Sequence, residues 1–294
     1  MRAINRKKTA EAITGYLFIT PWLFIFVIFI IFSLVYALYL SFTKYNILSP
    51  AVWWGVEGYR RVLTDSLFLT RALPNTFKYV LIVVPIQTFI SLVLAFLMDQ
   101  KLRLRRLFRT IFYLPSVTSS VVISLIFVWL FATQGIFNQL LHINVSWLND
   151  VKTAFYVIMG MNIFTTSGTM MLIFLSGLQD IPESLYEASR IDGANSSQIF
   201  RFVTVPMIRP VIFFVVTIGI IGCFQVFDQI YVMTNGGPLD STTTITYLIY
   251  KWAFRDTTVK MGQASALAIV LTLIILGVTM LQRRIIEGSG STTQ

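Results

Sequence analysis

The 294-residue chain is too apolar and too sparsely charged for a soluble domain, since only 12% of its residues are charged and its mean hydropathy is +0.75. Its net charge of +10 does not indicate nucleic-acid binding, because the basic residues are divided among short loops. The single cysteine, Cys223, excludes an internal disulfide and is expected to be a small residue of the membrane core.

Six stretches are long and apolar enough to cross a bilayer as helices, which takes about 20 residues each. None of them contains Asp, Glu, Lys or Arg, and their unbroken apolar runs exclude a β-barrel of alternating strands. The first is too long for a signal-peptide core and is expected to remain as an anchor. The sequence therefore predicts an all-α integral membrane protein, with spans at Tyr16–Leu40, Tyr79–Met98, Ile111–Phe131, Ala154–Leu175, Val211–Phe227 and Ala264–Leu281.

Basic residues set the predicted orientation, because they concentrate on the cytoplasmic side of membrane proteins. The strongest signal joins the second and third spans, where five basic residues occur between Lys101 and Arg109. We therefore expect a cytoplasmic N-terminal tail at 1–15, a six-span domain at 16–286 and a flexible cytoplasmic tail at 287–294. The segment 179–206 is expected to be cytoplasmic as well.

The segment 179–206 has the sequence of two short, soluble helices. Asp180 precedes a proline and a glutamate, a pattern that predicts an N-cap at the start of a helix. Gly193 is expected to end that helix with a positive φ, and Asn195 to cap a second helix. This second helix is expected to stop before Pro206.

Two interpretations of the segment are open, an interfacial helix lying among lipid headgroups and a docking surface for another protein. Interfacial helices need a basic polar face to bind anionic lipid. The docking surface is favoured because the acidic residues of the segment outnumber its basic ones, with Asp180, Glu183, Glu187 and Asp192 against Arg190 and Arg201.

The same segment resembles the "EAA" signature of ABC importer permeases. Glu187-Ala188-Ser189, Gly193 and Val203-Thr204-Val205-Pro206 follow the spacing of that signature, with conservative changes at three positions. In the family this loop is the coupling helix that inserts into a groove of the ATP-hydrolysing subunit. The resemblance implies coupling roles for Glu187, Ala188, Ser189, Asp192, Gly193 and Pro206.

The resemblance extends over nearly the whole chain. The stretch "YLFITPWLFIF" after Gly15 and the stretch "FQVFDQIYVMTNGGP" at Phe224–Pro238 are similar to carbohydrate permeases of the maltose F-type and glycerol-phosphate A-type. The resemblance implies a type I ABC importer permease fold, with six transmembrane helices and a cytoplasmic coupling-helix elbow. It places the chain in a bacterial or archaeal cytoplasmic (inner) membrane.

The resemblance also implies a set of partners. They are a second, G-type permease subunit, a homodimeric ATP-binding subunit, an external or periplasmic solute-binding protein and a carbohydrate solute. No P-loop motif occurs in the chain, so ATP and Mg²⁺ are expected on the partner ATPase and no cofactor on this chain. The single histidine, His142, has no second histidine or cysteine near it, so neither a metal site nor a catalytic triad is expected.

Neutral polar residues inside the spans mark a candidate path for a hydroxylated solute, because sugar hydroxyls need directional donors and acceptors. Helix–helix packing is the other interpretation. It is favoured for the Ser and Thr residues of the third span, whereas for Asn162 and Gln225 both interpretations stay open. Asp228 and Tyr231 also suit an outer membrane interface. The solute-path candidates are Asn162, Thr166, Gln225, Asp228 and Tyr231.

A transport subunit without enzymatic activity is the function favoured by these features. The alternative is a secondary, ion-coupled transporter of a small polar solute. Such carriers usually place ionisable residues inside the membrane, and the six predicted spans hold no Asp, Glu, Lys or Arg. A membrane-bound enzyme is a weaker alternative, since no intramembrane catalytic set is present. The sequence favours a neutral sugar over a phosphorylated one but names no particular solute.

Overall fold

The computed structural model describes residues 2–100, 103–256 and 260–287. Lys101 of the predicted basic cluster and the predicted tail beyond Glu287 lie outside these residues. The chain forms two compact units, one made of Met1–Leu63 and Trp252–Ile269, the other of Thr64–Lys251 and Val270–Gln294.

The first unit begins with a long, uninterrupted helix. Helix α1 (Arg2–Ile25) continues through π-helical residues Phe26–Phe32 into α2 (Ser33–Ser41). Residues predicted as an N-terminal tail therefore form the first turns of this helix. A short hairpin that was not predicted follows, in which β1 (Thr43–Lys44) pairs antiparallel with β2 (Val52–Trp53). Helix α3 (Glu57–Thr64) and the beginning of α15 (Met261–Glu287) complete the unit.

The second unit is a bundle whose core lies between the helices of the second, fourth and fifth predicted spans. Buried side chains of this core include Ala95, Met171, Phe174 and Val215. The helices are α4 (Leu73–Asp99, after π-helical Phe68–Ala72), α5 (Arg105–Val117), α6 (Ser120–Leu130), α7 (Ile136–Leu141), α8 (Ala154–Gln179), α9 (Glu183–Ile191), α10 (Ser196–Ile199, followed by π-helical Phe200–Thr204), α11 (Val205–Met207), α12 (Arg209–Phe224), α13 (Asp228–Met233) and α14 (Ile245–Tyr250, followed by π-helical Lys251–Arg255).

The predicted all-α membrane architecture is confirmed, with a change in the form of two spans. Four helices are long and apolar enough to cross a membrane unaided, namely Thr14–Ser41, Phe68–Asp99, Ala154–Gln179 and Met261–Arg284. The other two spans are bent pairs: Arg105–Val117 with Ser120–Leu130 at 97°, and Ser196–Met207 with Arg209–Phe224 at 66°. Counting each pair as one span gives six.

The third predicted span, Ile111–Phe131, is not one continuous helix, because the helix breaks after Val117. Thr118 and Ser119 have extended backbones with ψ of 145° and 130°. Pro115 removes one backbone donor just before the break, and the Thr118 hydroxyl donates to the carbonyl of Leu114 at 2.9 Å. Hydropathy averages over such a break, since the residues on both sides are apolar.

The fifth span also differs, ending at Phe224 and not at Phe227. The Gln225 backbone N–H bonds to carbonyls of the preceding turn, and the chain then turns into the separate helix α13. Gln225 and Asp228 therefore lie on either side of a helix break.

Candidate functional site

Helix α9 and the turn after it form the first half of an elbow, defined here as residues 179–208. The helix ends in a Schellman motif, in which Ala194 N–H donates to the carbonyl of Ser189 at 3.0 Å and Gly193 N–H to that of Arg190 at 3.1 Å. This motif requires a left-handed residue, and Gly193 has φ of +80°. The predicted glycine bend is confirmed.

The second half of the elbow starts at Asn195, as predicted. The Asn195 side chain accepts from Gln198 N–H at 2.9 Å, and the Gln198 side chain accepts from Asn195 N–H at 2.8 Å. These two bonds make a complete capping box, so the end of α9 and the start of α10 are both defined by local bonds.

Two predicted ends of the elbow helices are wrong. Asp180 does not cap α9, which has Pro182 at its N-cap position, and instead Asp180 ends α8. The second helix also does not stop before Pro206 but continues to Met207. The π-helical turn before Pro206 widens the helix, which relieves the usual clash of a proline ring with the preceding turn.

The elbow has an anchored face and an exposed face. Ile181 and Ile208 are buried in the core of the second unit, and Tyr186 packs against it. On the other side, Leu185 is 39% exposed and Ile191 is 86% exposed, although both are large and apolar. An apolar surface on a rigid, anchored helix is typical of a docking site for another protein.

Most of the predicted coupling residues lie along this exposed side or at the bend. Glu187, Ala188 and Asp192 are exposed, and Ser189 is half-buried with its hydroxyl bonded to the Leu185 carbonyl at 2.7 Å. Five of the six candidates therefore lie between Glu187 and Gly193, whereas Pro206 lies near the end of the second elbow helix.

A cleft of about 350 Å³ lies within the second unit, where the broken third span meets α8, α12 and α13. Eight of its thirteen lining residues have polar side chains, and none of the described residues that line it is charged. The lining residues are Pro115, Ser116, Thr118, Ser120, Asn162, Thr165, Thr166, Thr169, Met170, Ile173, Val215, Ile218 and Gln229. Asn162 and Thr166, both predicted for the solute path, belong to this lining.

A buried polar cluster behind the cleft holds Asn162 and Thr166 in place. The Thr166 hydroxyl lies 2.7 Å from both Gln87 Oε1 and the Asn162 carbonyl oxygen. The amide groups of Gln87 and Asn162 both donate to the Cys223 thiol, at 3.9 and 3.8 Å. Gln87 is only 1% exposed, so it reaches the cleft only through its neighbours. The cluster joins α4, α8 and α12.

Close helix contacts keep this cluster rigid. A side chain at Gly219 of α12 would begin 2.7 Å from Gln87 Nε2, and one at Gly168 of α8 would overlap the Phe112 carbonyl of α5. The absence of side chains at these two positions lets the helices approach closely. The spacing between α5 and α8, two walls of the cleft, is therefore fixed by backbone packing.

The remaining three solute-path candidates do not line the cleft. Gln225 is exposed at the end of α12, and Asp228 is exposed at the start of α13. Tyr231 is 39% exposed and contacts the rings of Phe227 and Tyr250, with centroids 5.5 and 5.2 Å away.

The structure adds cleft residues that sequence reasoning did not select. Gln229 of α13, four residues after Gln225, lines the cleft, and Gln87 supports it from behind. The sequence feature that could have identified Gln229 and Gln87 is the one that identified Asn162, an amide side chain within or beside an apolar span. Ser116, Thr118 and Ser120 also line the cleft, a placement that the packing interpretation of the third span does not provide.

Among the described residues there is no group of three or more His, Cys, Asp or Glu side chains able to hold a metal ion. The candidate site consists of the neutral hydrogen-bonding groups of the cleft and the exposed face of the elbow.

Residues 87–287 match the family described as "Binding-protein-dependent transport system inner membrane component". The chain is 33% identical over 291 residues to the probable ABC transporter permease protein YurN of Bacillus subtilis (strain 168), covering 96% of this chain and 97% of YurN. It is 33% identical over 280 residues to the lactose transport system permease protein LacF of Rhizobium radiobacter, covering 92% and 93%.

Solved structures show the same fold. A chain of the bacterial alginate ABC transporter in complex with alginate pentasaccharide-bound periplasmic protein superimposes with a TM-score of 0.83 at 20% identity, covering 98% of this chain and 99% of that one. The family match spans more than half of the chain, and it includes the elbow, the cleft and the buried cluster. The chain therefore belongs to the family of inner membrane components of binding-protein-dependent transport systems, the permease subunits of ABC importers.

Proposed function

We propose that this chain forms half of the translocation path of an ATP-driven importer for a carbohydrate or sugar-like solute. Its elbow docks on a separate, homodimeric ATPase that carries ATP and Mg²⁺, and a second, G-type permease supplies the other half of the path. An external or periplasmic binding protein delivers the solute.

The exposed, anchored elbow is the observation that carries this proposal. Its outer side presents Leu185 and Ile191 to a partner, while Tyr186 and Ile181 fix its inner side to the core of the membrane bundle. The Schellman motif and the capping box stiffen the bend. When the partner displaces α9, both halves of the elbow therefore move together. That movement is passed to α8 and α12, which line the cleft.

The cleft suits a neutral, hydroxylated solute. Its polar side chains are hydroxyls and amides, which both donate and accept hydrogen bonds, and its apolar wall is formed by Met170, Ile173, Val215 and Ile218. A volume of about 350 Å³ lies at the lower end of the range for small-molecule sites. Named relatives in the family transport lactose, arabinooligosaccharides and trehalose or maltose, which supports a carbohydrate.

The proposed topology places both termini and the elbow on the cytoplasmic side. The basic residues Arg103, Arg105, Arg106 and Arg109 between the second and third spans support this orientation. Cys223 is the only native cysteine, so single-cysteine variants on a Cys223→Ala background can be labelled from one side of sealed vesicles. Labelling of Ser184→Cys from the outside of intact cells would contradict the proposed orientation.

The decisive experiment purifies the tagged chain from its native membrane with its neighbours. An importer subunit brings down an ATPase, and the ATPase activity of the reconstituted complex rises with the sugar-loaded binding protein. A panel of neutral sugars and sugar phosphates then identifies the solute class. Solute uptake driven by an ion gradient without ATP would refute the proposal and establish the ion-coupled alternative.

A further inference from the structure

A pocket of about 500 Å³ lies within the first unit, apart from the cleft and the elbow. It is bounded by the β1–β2 hairpin, by α3 and by the beginning of α15. Three of its lining residues are basic, and none of the described residues that line it is acidic. The basic residues are Lys44, Arg61 and Lys260.

Backbone contacts give this pocket fixed walls. Gly262 N–H of α15 donates to the Tyr45 carbonyl at 3.2 Å, and a side chain at Gly262 would overlap the Thr43 carbonyl. A side chain at Gly58 of α3 would begin 3.2 Å from the Ser41 carbonyl at the end of α2. Four elements therefore meet through their backbones, and the pocket is a built feature of the unit.

Two of the cations are paired with carboxylates that do not line the pocket, and one of them also stacks on a lining tryptophan. The Arg61 guanidinium lies 4.6 Å from the centroid of the Trp54 ring, with its Nε 3.4 Å from Glu57 Oε1. Lys260 Nζ lies 3.9 Å from Asp256 Oδ2. Both carboxylates stand outside the lining, so the charged groups among its described residues are all cations.

The third cation, Lys44, is exposed and makes no ion pair within the described part of the chain. Neutral donors complete the lining, including Asn46, Ser49 and Gln263. Several cations surrounded by neutral donors are the usual arrangement for binding a phosphate group.

The position of the pocket along the chain places it at the depth of lipid headgroups. It follows the end of the first span at Ser41 and precedes the last span, which begins at Met261. Its Tyr45 and Trp54 are of the residue types that concentrate at membrane interfaces. We propose that this pocket binds a phosphate group, carried either by an anionic phospholipid headgroup or by a soluble phosphate ester.

The test uses the assembled transporter containing the full chain. Its thermal midpoint is measured in nanodiscs of phosphatidylcholine with increasing phosphatidylglycerol, and in detergent with increasing glycerol phosphate. The pocket variant is Lys44→Gln, Arg61→Gln and Lys260→Gln. The control variant, with the same change in charge outside the pocket, is Arg60→Gln, Lys78→Gln and Lys152→Gln.

The native complex and the control are expected to gain stability saturably, and the pocket variant to need at least about tenfold more ligand, since each lost cation weakens binding at a membrane surface. Protection by phosphatidylglycerol alone identifies a lipid headgroup, and protection by glycerol phosphate identifies a soluble ester. Equal protection of both variants, or no protection of the native complex, would overturn the proposal. A further outcome would also overturn it: in pure phosphatidylcholine, the binding protein stimulates the ATPase activity of the control variant but not that of the pocket variant. That result would identify a protein-docking surface.

Discussion

Replacing Gly193 with valine tests whether the bend of the elbow transmits force. The residue has φ of +80°, and a side chain built there meets no atom within 4 Å. The cost is therefore purely conformational, about 1–2 kcal/mol for a non-glycine residue in the left-handed region. No buried core residue is disturbed, so membrane insertion and subunit yield are expected to stay unchanged.

A cost of this size lowers the population of the intact bend by a factor of about 5–30. When the bend opens, the two capping bonds from Gly193 and Ala194 are lost, and α9 is no longer held at a fixed angle to the second elbow helix. We expect solute uptake to fall by a similar factor, while basal ATP hydrolysis by the partner persists.

The assay compares Gly193→Asn, Gly193→Ala and Gly193→Val in reconstituted complexes, with uptake and ligand-stimulated ATPase measured together. Asparagine tolerates the left-handed region best and a β-branched residue worst, so activity should fall in the order Asn, Ala, Val. Equal activity of the three variants, or an asparagine variant as impaired as valine, would show that the backbone conformation of this residue is not what matters.

Three further predictions concern the docking face and the cleft. Glu187→Lys reverses a charge on the exposed side of α9 and is expected to reduce the amount of ATPase that copurifies, with the exposed Ser184→Ala as its control. Asn162→Ala should raise the solute concentration for half-maximal uptake about tenfold or more, because leaving a buried polar group without its hydrogen-bond partner costs about 1–3 kcal/mol. Gln225→Ala should leave this concentration unchanged, since Gln225 is exposed. Gln87 positions Thr166 and does not itself contact the solute, so Gln87→Ala should also raise the solute concentration for half-maximal uptake, and Gln87→Glu should not restore the native value. Native uptake by either variant would contradict this positioning role.

Features determined by neighbouring residues in the chain were predicted correctly. Gly193 and Asn195 act through bonds that span only three to five residues, so their roles follow from residue type and spacing alone. The apolar spans were also recognised, because their burial in lipid depends on composition. The place of Asn162 in the cleft was accessible as an amide within such a span.

Features that depend on packing between distant residues were not predictable in the same way. The break after Val117 and the end of α12 at Phe224 leave the apolar pattern almost unchanged. Asp180 has the residue type of an N-cap, but α8 extends to Gln179 and takes it as a C-cap. The pairing of Gln87 with Thr166 joins residues 79 positions apart, which a single sequence does not reveal.

A last prediction concerns the point where the elbow leaves the membrane bundle. Arg109 of α5 donates to the Met98 carbonyl at the end of α4, at 3.3 Å. The side-chain amide of Gln179, at the end of α8, is oriented with its oxygen toward Arg109. This oxygen accepts from Arg109 at 3.1 Å and from Arg105 at 2.5 Å. The C-terminal ends of α4 and α8 thus both lie beside Arg109, a placement of positive charge that helix dipoles favour.

This contact ties three helices together at Gln179, the first residue of the elbow, so Arg109 is expected to pass elbow movement to α4 and α5. Lysine keeps the charge but lacks the planar fork that serves both partners, and Arg109→Lys should therefore transport less solute per ATP, with Arg109→Gln lower still. A hydrogen bond to a charged group contributes about 1.5–3 kcal/mol when buried and less at this half-buried position. Arg106→Gln, an exposed residue of the same helix, is the matched control. If the Arg109 and Arg106 variants transport the same amount of solute per ATP hydrolysed, the Arg109 guanidinium serves only to set the membrane orientation of the chain. Elbow movement then reaches the cleft through the packed core around Phe174.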